Sequence, residues 1–416
     1  MRLIVQKYGG TSVGTAERIR NVARRLVETQ REGCRVVGVI SAMAGVTDDL
    51  TKLAHEMSEQ PTERELDILL ATGEHAATAL VAMAVNALGG RAISLTGAQA
   101  GILTDRNHTK ARIANISPKQ IHELLSDDYI VIVAGFQGQT PEGETTTLGR
   151  GGSDLTAIAL AGALNADVCQ IFTDVDGVFT CDPRSVLAAK KLDEIAYDEL
   201  LEMASAGSKV VQSRAVEFAK KFGIEFEVRS SFKTSTGTIA REASPSMEDV
   251  VIRGISLDRH QAKLTIAGVR DEPGIAGRVF SNIAAAHIIV DMIVQNASIG
   301  GTTDISFTIH EDELENARKI LMPVVSEVGA TRLNTASSVA KLSVVGIGMR
   351  SHSGVAARLF ERLGKAGINI HLISTSEIKI AVIIDEKNLE HAAQLAHEEF
   401  GLARLNIAAG KMPPIG

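Results

Sequence analysis

Short apolar runs alternate with longer segments of helical period from residue 1 to about residue 245. The runs typical of buried strands are residues 3–5, 36–40, 92–95, 129–134, 168–173 and 225–229. Segments with the apolar spacing of helices lie between them, such as residues 16–29, 63–88 and 154–164. This alternation predicts an α/β fold with a mostly parallel sheet sandwiched by helices. Ligands of such sheets bind beyond the carboxyl ends of the strands.

A repeat follows a polar linker at Ser244-Pro245-Ser246. Residues 263–268 match residues 341–346, and residues 273–280 match residues 353–360 after a loop that is longer in the second copy. Each copy reads strand, loop, helix, strand, strand, helix, which predicts two ferredoxin-like βαββαβ domains. We therefore predict domains at residues 1–245, 246–335 and 336–416.

Composition narrows the classes of function. The 416 residues include no Trp and carry a formal net charge of -7, which argues against a nucleic-acid surface. The three cysteines are scattered without metal-type spacing, which fits a reducing cytoplasm. The apolar run after Met1-Arg2 is too short for a signal peptide, and no stretch reaches the roughly 18 uncharged apolar residues of a membrane span. We expect a cytoplasmic protein that acts on a small molecule, with no nucleic acid or membrane as partner.

The first predicted strand ends in Lys7-Tyr8-Gly9-Gly10-Thr11-Ser12. A strand followed by paired glycines, hydroxyls and a helix presents backbone N–H groups and a lysine at one point, which suits phosphate. It is not the Walker pattern, because no Gly-x-x-x-x-Gly-Lys-Ser/Thr occurs. The alternative is a tight turn with a solvated lysine.

A second glycine-rich segment, residues 146–154, precedes an Ala-rich helix. Its glycines let the backbone approach a ligand, and Arg150 offers a planar fork for a carboxylate or phosphate. The alternative is that Ser153 or Asp154 only caps the helix. Glu74, in an Ala- and Leu-rich helical stretch, either binds an ammonium group or is solvated.

Acidic residues follow the strand at residues 168–173. They lie in Thr173-Asp174-Val175-Asp176-Gly177-Val178 and in Asp182-Pro183-Arg184, where they suit a ribose or a magnesium shell. Asp-Gly turns are common, so this signal is weak alone. Lys209 is either a second phosphate-binding lysine or solvated.

Taken in order, four motifs resemble those of the aspartate kinase family of the amino acid kinase superfamily. They are residues 7–12, Ser41-Ala42-Met43, residues 149–154 with Thr156-Ala157, and residues 173–178. The C-terminal repeat resembles the family's pair of ACT regulatory domains. The resemblance implies the amino acid kinase fold and ATP-dependent phosphorylation of the L-aspartate side chain to 4-phospho-L-aspartate, the first step toward lysine, threonine and methionine. One alternative is a kinase of the same superfamily that acts on glutamate or a similar acceptor. The other is an amino-acid sensor that has the kinase fold but no activity.

The resemblance also implies roles for individual residues. Lys7, Asp154 and Glu74 would form the catalytic set, with Asp154 holding Lys7. The ATP site, with Mg2+ bound through the nucleotide and not directly by the protein, would comprise Lys7, Tyr8, Gly9, Gly10, Ser41, Asp154, Thr173, Asp174, Phe179, Asp182, Pro183, Arg184 and Lys209. L-Aspartate would contact Thr47, Glu74, Arg150, Gly151, Gly152 and Ser153.

The ACT half would bind lysine and/or threonine as inhibitory effectors. The implied residues are Asp271, Gly274, Ile275, Ala276, Asp291, Gln295 and Asn296 in the first copy, and Asn369, Ile370, Thr375 and Ser376 in the second. The second copy has Ser353 where the first has Pro273, so a second effector site there is an open question. The plan resembles family members in which the same gene also yields the ACT half as a smaller subunit of an α2β2 assembly, and Met247 is a possible internal start. A full-length homodimer is equally compatible with the residues.

Overall fold

The structure, a computed structural model, describes residues 1–205, 210–244, 247, 250–296 and 300–404. The chain forms two compact units. The first contains Met1–Val178 and Lys191–Ala204 and continues to Ser244. The second contains Phe179–Lys190 and the chain that follows the predicted linker.

The first unit is built from these helices and strands. Its helices are α1 Ala16–Arg31, α2 Val46–Met57, α3 Glu63–Ala87, α4 Lys119–Ser126, α5 Gly152–Leu164, α6 Tyr197–Ser205 and α7 Ser213–Phe222. Its strands are β1 Leu3–Tyr8, β2 Arg35–Ile40, β3 Ala92–Leu95, β4 Ile102–Thr104, β5 Ile113–Ile116, β6 Ile130–Ala134, β7 Gln137–Gln139, β8 Thr145–Thr147, β9 Val168–Thr173, β10 Glu194–Ala196, β11 Phe226–Ser230 and β12 Thr238–Arg241.

The main sheet has the strand order β10-β12-β11-β9-β1-β2-β6-β3. The pairs β1–β2, β1–β9, β9–β11, β2–β6, β3–β6 and β10–β12 are parallel, and β11–β12 is antiparallel. The predicted mostly parallel sheet is therefore confirmed. Since β1, β2, β6 and β9 are parallel neighbours, their carboxyl ends lie along one edge of the sheet. A smaller sheet of the order β5-β4-β7-β8 is formed by strands that lie between β3 and α5 in the chain.

Burial explains why these segments form these elements. Strand β1 is buried along nearly its whole length because helices cover both faces of the sheet. Helix α1 is amphipathic and buries Ile19, Val22 and Leu26. Helix α5 is rich in Ala and Gly and is buried on almost every side, so small side chains let it pack closely against the sheet.

Helix α3 is long and apolar enough, by length and composition alone, to cross a membrane, although Glu74 interrupts its uncharged stretch. Half of its most apolar window is buried in the fold. Because it also buries the carboxyl groups of Asp67 and Glu74, it has the character of a core helix.

The second unit contains a single antiparallel sheet of the order β14-β15-β13-β16-β18-β17. Its strands are β13 Gly254–Arg270, β14 Val290–Gln295, β15 Thr302–His310, β16 Arg332–Val345, β17 Leu372–Thr375 and β18 Lys379–Asp385. Its helices are α8 Ile275–Ala285, α9 Leu314–Glu327, α10 Val355–Lys365 and α11 Leu389–Glu399. The order strand, helix, strand, strand, helix in each copy is as predicted.

The two copies share their long strands. The first part of β13, residues 254–258, pairs with residues 341–345 of the second copy, while residues 261–270 pair with β15 of the first copy. Strand β16 is divided in the same way between β13 and β18. Consequently Val251, Ile252 and Ile255 lie in the apolar core of the second copy although they precede the first in sequence.

The segment Phe179–Lys190 was predicted within the domain at residues 1–245, and in the structure it packs with the second unit. Cys181 and Val186 are instead buried in the apolar cluster that contains Leu359 and Val382 of the second copy. The backbone N–H of Ile255 also donates to the carbonyl of Thr180 at 2.7 Å. Apolar burial thus places this segment in the second unit.

Candidate active site

The turn after β1 places Lys7 and two glycines at the carboxyl edge of the main sheet. A Cβ on Gly10 would lie 2.8 Å from the carbonyl oxygen of Ala42, so this position requires glycine. A Cβ on Gly9 would lie 3.3 Å from Lys7 Nζ. Gly9 therefore leaves space for the lysine. Its N–H was predicted to donate to a phosphate, but it donates to the carbonyl of Phe172 at 3.2 Å.

Lys7 and Asp154 form a buried ion pair. Lys7 Nζ lies 2.6 Å from Asp154 Oδ1, and both side chains are about one-tenth exposed. Asp154 lies in the first turn of α5, where the helix dipole also favours a negative charge. The contact predicted between Lys7 and Asp154 is present, and a buried pair of this kind holds the lysine in a single direction.

The glycines before α5 are required by their conformation. Gly151, the N-cap residue, has a φ of 71°, and a Cβ there would lie 1.9 Å from the side chain of Gln212. Gly149 has a φ of 75°. Gly152 and Ser153 begin the helix and are buried, whereas Arg150 is exposed on the loop between them and Gly149. Among the described residues, Arg150 makes no ion pair.

Glu74 lies on α3 beneath the turn that follows β2. The backbone N–H of Ala42 donates to its Oε1 at 3.0 Å, and Gly73 gives the turn room to approach the helix. The second oxygen, Oε2, is buried and has no hydrogen-bond partner in the described part of the chain. Burial raises the pKa of Glu74 to about 7, and the Ala42 N–H opposes this shift in part.

The remaining predicted residues of the first unit lie close to these elements in the chain. Ser41 follows β2, with its N–H bonded to the carbonyl of Tyr8 at 3.1 Å. Thr47 is in the first turn of α2. Thr173 ends β9, and its hydroxyl donates to the carboxylate of the exposed Asp174 at 3.2 Å.

The side chain of Tyr8 is used by the core. Its ring stacks on Phe172 with centroids 4.8 Å apart, and its hydroxyl donates to Gln6 at 3.1 Å. Burial raises the pKa of Tyr8 far above its ordinary value. Only the backbone of Tyr8 is therefore placed to meet a ligand. Lys209 lies outside the described residues.

Four predicted ATP-site residues, Phe179, Asp182, Pro183 and Arg184, belong to the second unit. Arg184 donates to both oxygens of Asp182, with Nη2 at 2.8 Å from Oδ2. This contact holds the pKa of Asp182 below its ordinary value. The role of these four residues in the ATP site stays a prediction.

The predicted effector residues of the first copy lie in two segments, residues 271–276 at the start of α8 and residues 291–296 on and just after β14. Gly274 is the N-cap residue with a φ of 90°, and no side chain caps the helix. Asp271 is exposed and does not serve as the cap. Asp291 pairs with the buried Lys341, so its charge is already compensated, and Gln295 and Asn296 are exposed. Ile275 is buried in the core, and Ala276 is partly buried.

In the second copy, Thr375 and Ser376 line a pocket of about 470 Å3 at the start of α10. Arg350 and His352 line the same pocket, and Arg350 pairs with Glu377. Asn369 is exposed and Ile370 packs against the core of the copy.

Sequence reasoning missed Asp67, which is wholly buried on α3. Its signal was a carboxylate seven residues, or about two helical turns, before Glu74. Within the described residues, no cluster of three or more His, Cys, Asp or Glu side chains is arranged to hold a metal ion.

Comparison with known proteins identifies relatives of this chain. Residues 2–230 match the model of the amino acid kinase family, and residues 264–322 and 342–400 match that of the ACT domain. The chain is 52% identical to an aspartate kinase of Stutzerimonas stutzeri over 97% of its own length and 98% of the relative. It is 48% identical to an aspartokinase of Mycolicibacterium smegmatis over 97% of each chain.

A solved structure agrees with these relatives. E. coli aspartokinase III in complex with aspartate and ADP has a TM-score of 0.77 at 26% identity, covering 96% of this chain and 99% of that one. The same enzyme in complex with lysine and aspartate has a TM-score of 0.79 at the same identity and coverage.

Proposed function

Because this chain belongs to the aspartate kinases of the amino acid kinase family, we propose specific roles for its residues in transferring a phosphoryl group from ATP to L-aspartate. The chain is an aspartate kinase with two ACT domains, and it uses ATP. One observation carries the residue assignment: a buried lysine–aspartate pair lies beside a turn that requires glycine at position 10.

The Lys7 ammonium is the positive group that meets the transferring phosphoryl. Asp154 holds its direction, and the absence of side chains at Gly9 and Gly10 lets Lys7 and the backbone of Ala42 pack against this turn. ATP with its Mg2+ supplies the phosphoryl group and neutralises part of its charge. The Mg2+ is bound through the phosphates of the nucleotide.

The acceptor needs no general base. An aspartate side chain has a pKa of about 3.9, so it is already ionised at neutral pH. The enzyme must instead hold an anion against an anionic phosphoryl group, which is a task of orientation and charge compensation.

Glu74 binds the ammonium of L-aspartate, because its Oε2 is a buried acceptor that no donor of the described residues reaches. Arg150, exposed and without an ion-pair partner among the described residues, takes a substrate carboxylate as a bidentate pair. Thr47, Gly151, Gly152 and Ser153 complete the contacts. An arriving ammonium also favours the ionised form of Glu74, which burial disfavours in the substrate-free enzyme.

The activity is tested with purified protein, ATP and Mg2+, with the acyl phosphate trapped by hydroxylamine. We expect hydroxamate formation with L-aspartate and at least about a hundredfold less with L-glutamate, since an added methylene displaces the reacting carboxylate. Turnover with glutamate but not aspartate would refute the assigned acceptor.

Lysine and/or threonine bind the ACT copies as inhibitors, with Asp271 receiving the effector ammonium and the start of α8 its carboxylate. The exposed Asp271 and the uncapped helix support this assignment. The assembly is a homodimer or an α2β2 complex with an ACT-only subunit, in the cytoplasm. Isotherms for each amino acid and light scattering of the purified protein test these points, and a monomeric full-length enzyme would contradict the assembly.

A further inference from the structure

Helix α3 carries two buried carboxylates on one face. Asp67 and Glu74 are seven residues apart, which is about two turns or roughly 10 Å along a helix axis. Glu74 bonds to the turn after β2, as described above. Asp67 bonds instead to two segments that flank the loop carrying Arg150.

Asp67 accepts hydrogen bonds from several donors and is fully shielded from solvent. The backbone N–H of Thr109 lies 3.0 Å from each of its oxygens, and the hydroxyl of Thr147 donates to Oδ1. The ring Nδ1 of His108 lies 2.7 Å from Oδ2. Hydrogen bonds to a carboxylate are stronger than neutral ones, so this cluster holds its partners firmly.

Both contacts lead to the loop of Arg150. Thr147 is the last residue of β8, and Arg150 follows three residues later. Thr109 has a φ of 62°, which is unusual for threonine, and its carbonyl oxygen would lie 3.1 Å from a Cβ on Gly149. Asp67 therefore ties the strand end before Gly149 and the turn beside Gly149 to the helix that carries Glu74.

We propose that Asp67 is a positioning residue for the aspartate site, which sets the location of Arg150 relative to Glu74. This inference rests on the proposed function, in which Arg150 and Glu74 hold the two oppositely charged groups of the substrate. A ligand that must meet both at once is sensitive to their separation, and a displacement of about 1 Å can cost up to a hundredfold in rate. ATP does not require that separation, so its binding is independent of Asp67.

The test compares Asp67→Asn, which keeps the shape but removes the charge, with Thr147→Val, which removes the hydroxyl donor at similar volume. We expect Asp67→Asn to raise the KM for aspartate at least about tenfold, to change the KM for ATP less than twofold, and to keep the wild-type circular dichroism spectrum. Thr147→Val should raise the aspartate KM in the same direction. If Asp67 acts through Thr147, the double variant is no worse than Asp67→Asn alone.

Asp304→Asn is the matched control. Asp304 also accepts a backbone N–H bond, from Gly268 at 2.8 Å, but it belongs to the second unit, so kinetics should match wild type within twofold. An equal rise in both KM values, or a fall in kcat alone, in the Asp67 and Thr147 variants would overturn the proposal. If Asp67→Asn does not fold, Thr147→Val decides, and an unchanged aspartate KM overturns it. A wild-type enzyme inactive on aspartate would instead refute the proposed function.

Discussion

Replacing Glu74 with Gln distinguishes the effect of this buried carboxylate on the stability of the fold from its effect on aspartate binding. The side chain is 3% exposed, and burial raises its pKa from 4.5 to about 7. Each pKa unit corresponds to about 1.4 kcal/mol of differential interaction, so the shift corresponds to about 3 kcal/mol. Because the folded enzyme holds this proton more tightly than the unfolded chain, the stabilisation is complete below pH 4.5 and is lost as the pH rises through 7.

Glu74→Gln stays neutral at every pH and does not suffer this loss. We therefore expect the free energy of unfolding of the variant, relative to wild type, to increase by about 2 to 3 kcal/mol between pH 5 and pH 8.5. Urea unfolding followed by circular dichroism measures this difference, since the chain has no Trp for fluorescence. Comparing the two pH values removes any constant cost of the new amide group.

The same substitution should lower kcat/KM for aspartate at high pH, where it raises the relative stability of the fold. In wild type, kcat/KM for aspartate should fall about tenfold per pH unit below pH 7, because protonated Glu74 does not pair with an ammonium. In Glu74→Gln it should be at least about tenfold lower at pH 8 and without that slope, since the charge partner is gone.

Glu63→Gln, an exposed carboxylate at the start of the same helix, is the matched control and should leave the aspartate KM unchanged. Stability curves of wild type and Glu74→Gln that run parallel from pH 5 to pH 8.5 would refute the burial argument. An unchanged aspartate KM would remove Glu74 from the substrate site.

Three further predictions concern the two ligand-binding regions. Lys7→Ala should lower kcat at least about a hundredfold with the circular dichroism spectrum preserved, because a charge that stabilises the transition state is lost; near-normal kcat would contradict its role. Gly10→Ala should weaken ADP binding by calorimetry, since its Cβ would meet a backbone carbonyl at 2.8 Å, while Gly14→Ala, whose Cβ has 3.4 Å of room, should not. Asp271→Ala should weaken lysine or threonine binding at least about tenfold whereas Glu272→Ala leaves it unchanged, and equal isotherms for Asp271→Ala and wild type would exclude Asp271 from the effector site.

Local sequence pattern was sufficient for the main elements of both units. The predicted strands at residues 92–95 and 168–173 coincide with β3 and β9, and the predicted helix at residues 63–88 differs from α3 by one residue. These segments are apolar runs or have a clear helical period. A parallel sheet needs both kinds of segment, because helices connect its strands. The glycines at positions 10 and 151 were also readable, because tight turns restrict the residue type locally.

Contacts between distant segments were not readable in this way. The burial of Glu74 depends on a turn after β2 that reaches the helix only in the folded chain, and Asp67 has no local partner that would mark its role. The resemblance to known kinases suggested that Lys7 meets Asp154, but the 2.6 Å distance comes from the packing of α5 beside β1.

Tertiary contacts likewise decided which core residues 179–190 join and how β13 and β16 are shared between the ACT copies. A buried Cys181 or Val186 is apolar wherever it packs, so its sequence does not say which core it joins. Hydrophobic periodicity specifies which face of an element is buried. It does not specify the partner, because apolar contact is not directional. Which faces pack together is decided only in the complete fold, where all the apolar faces are buried together.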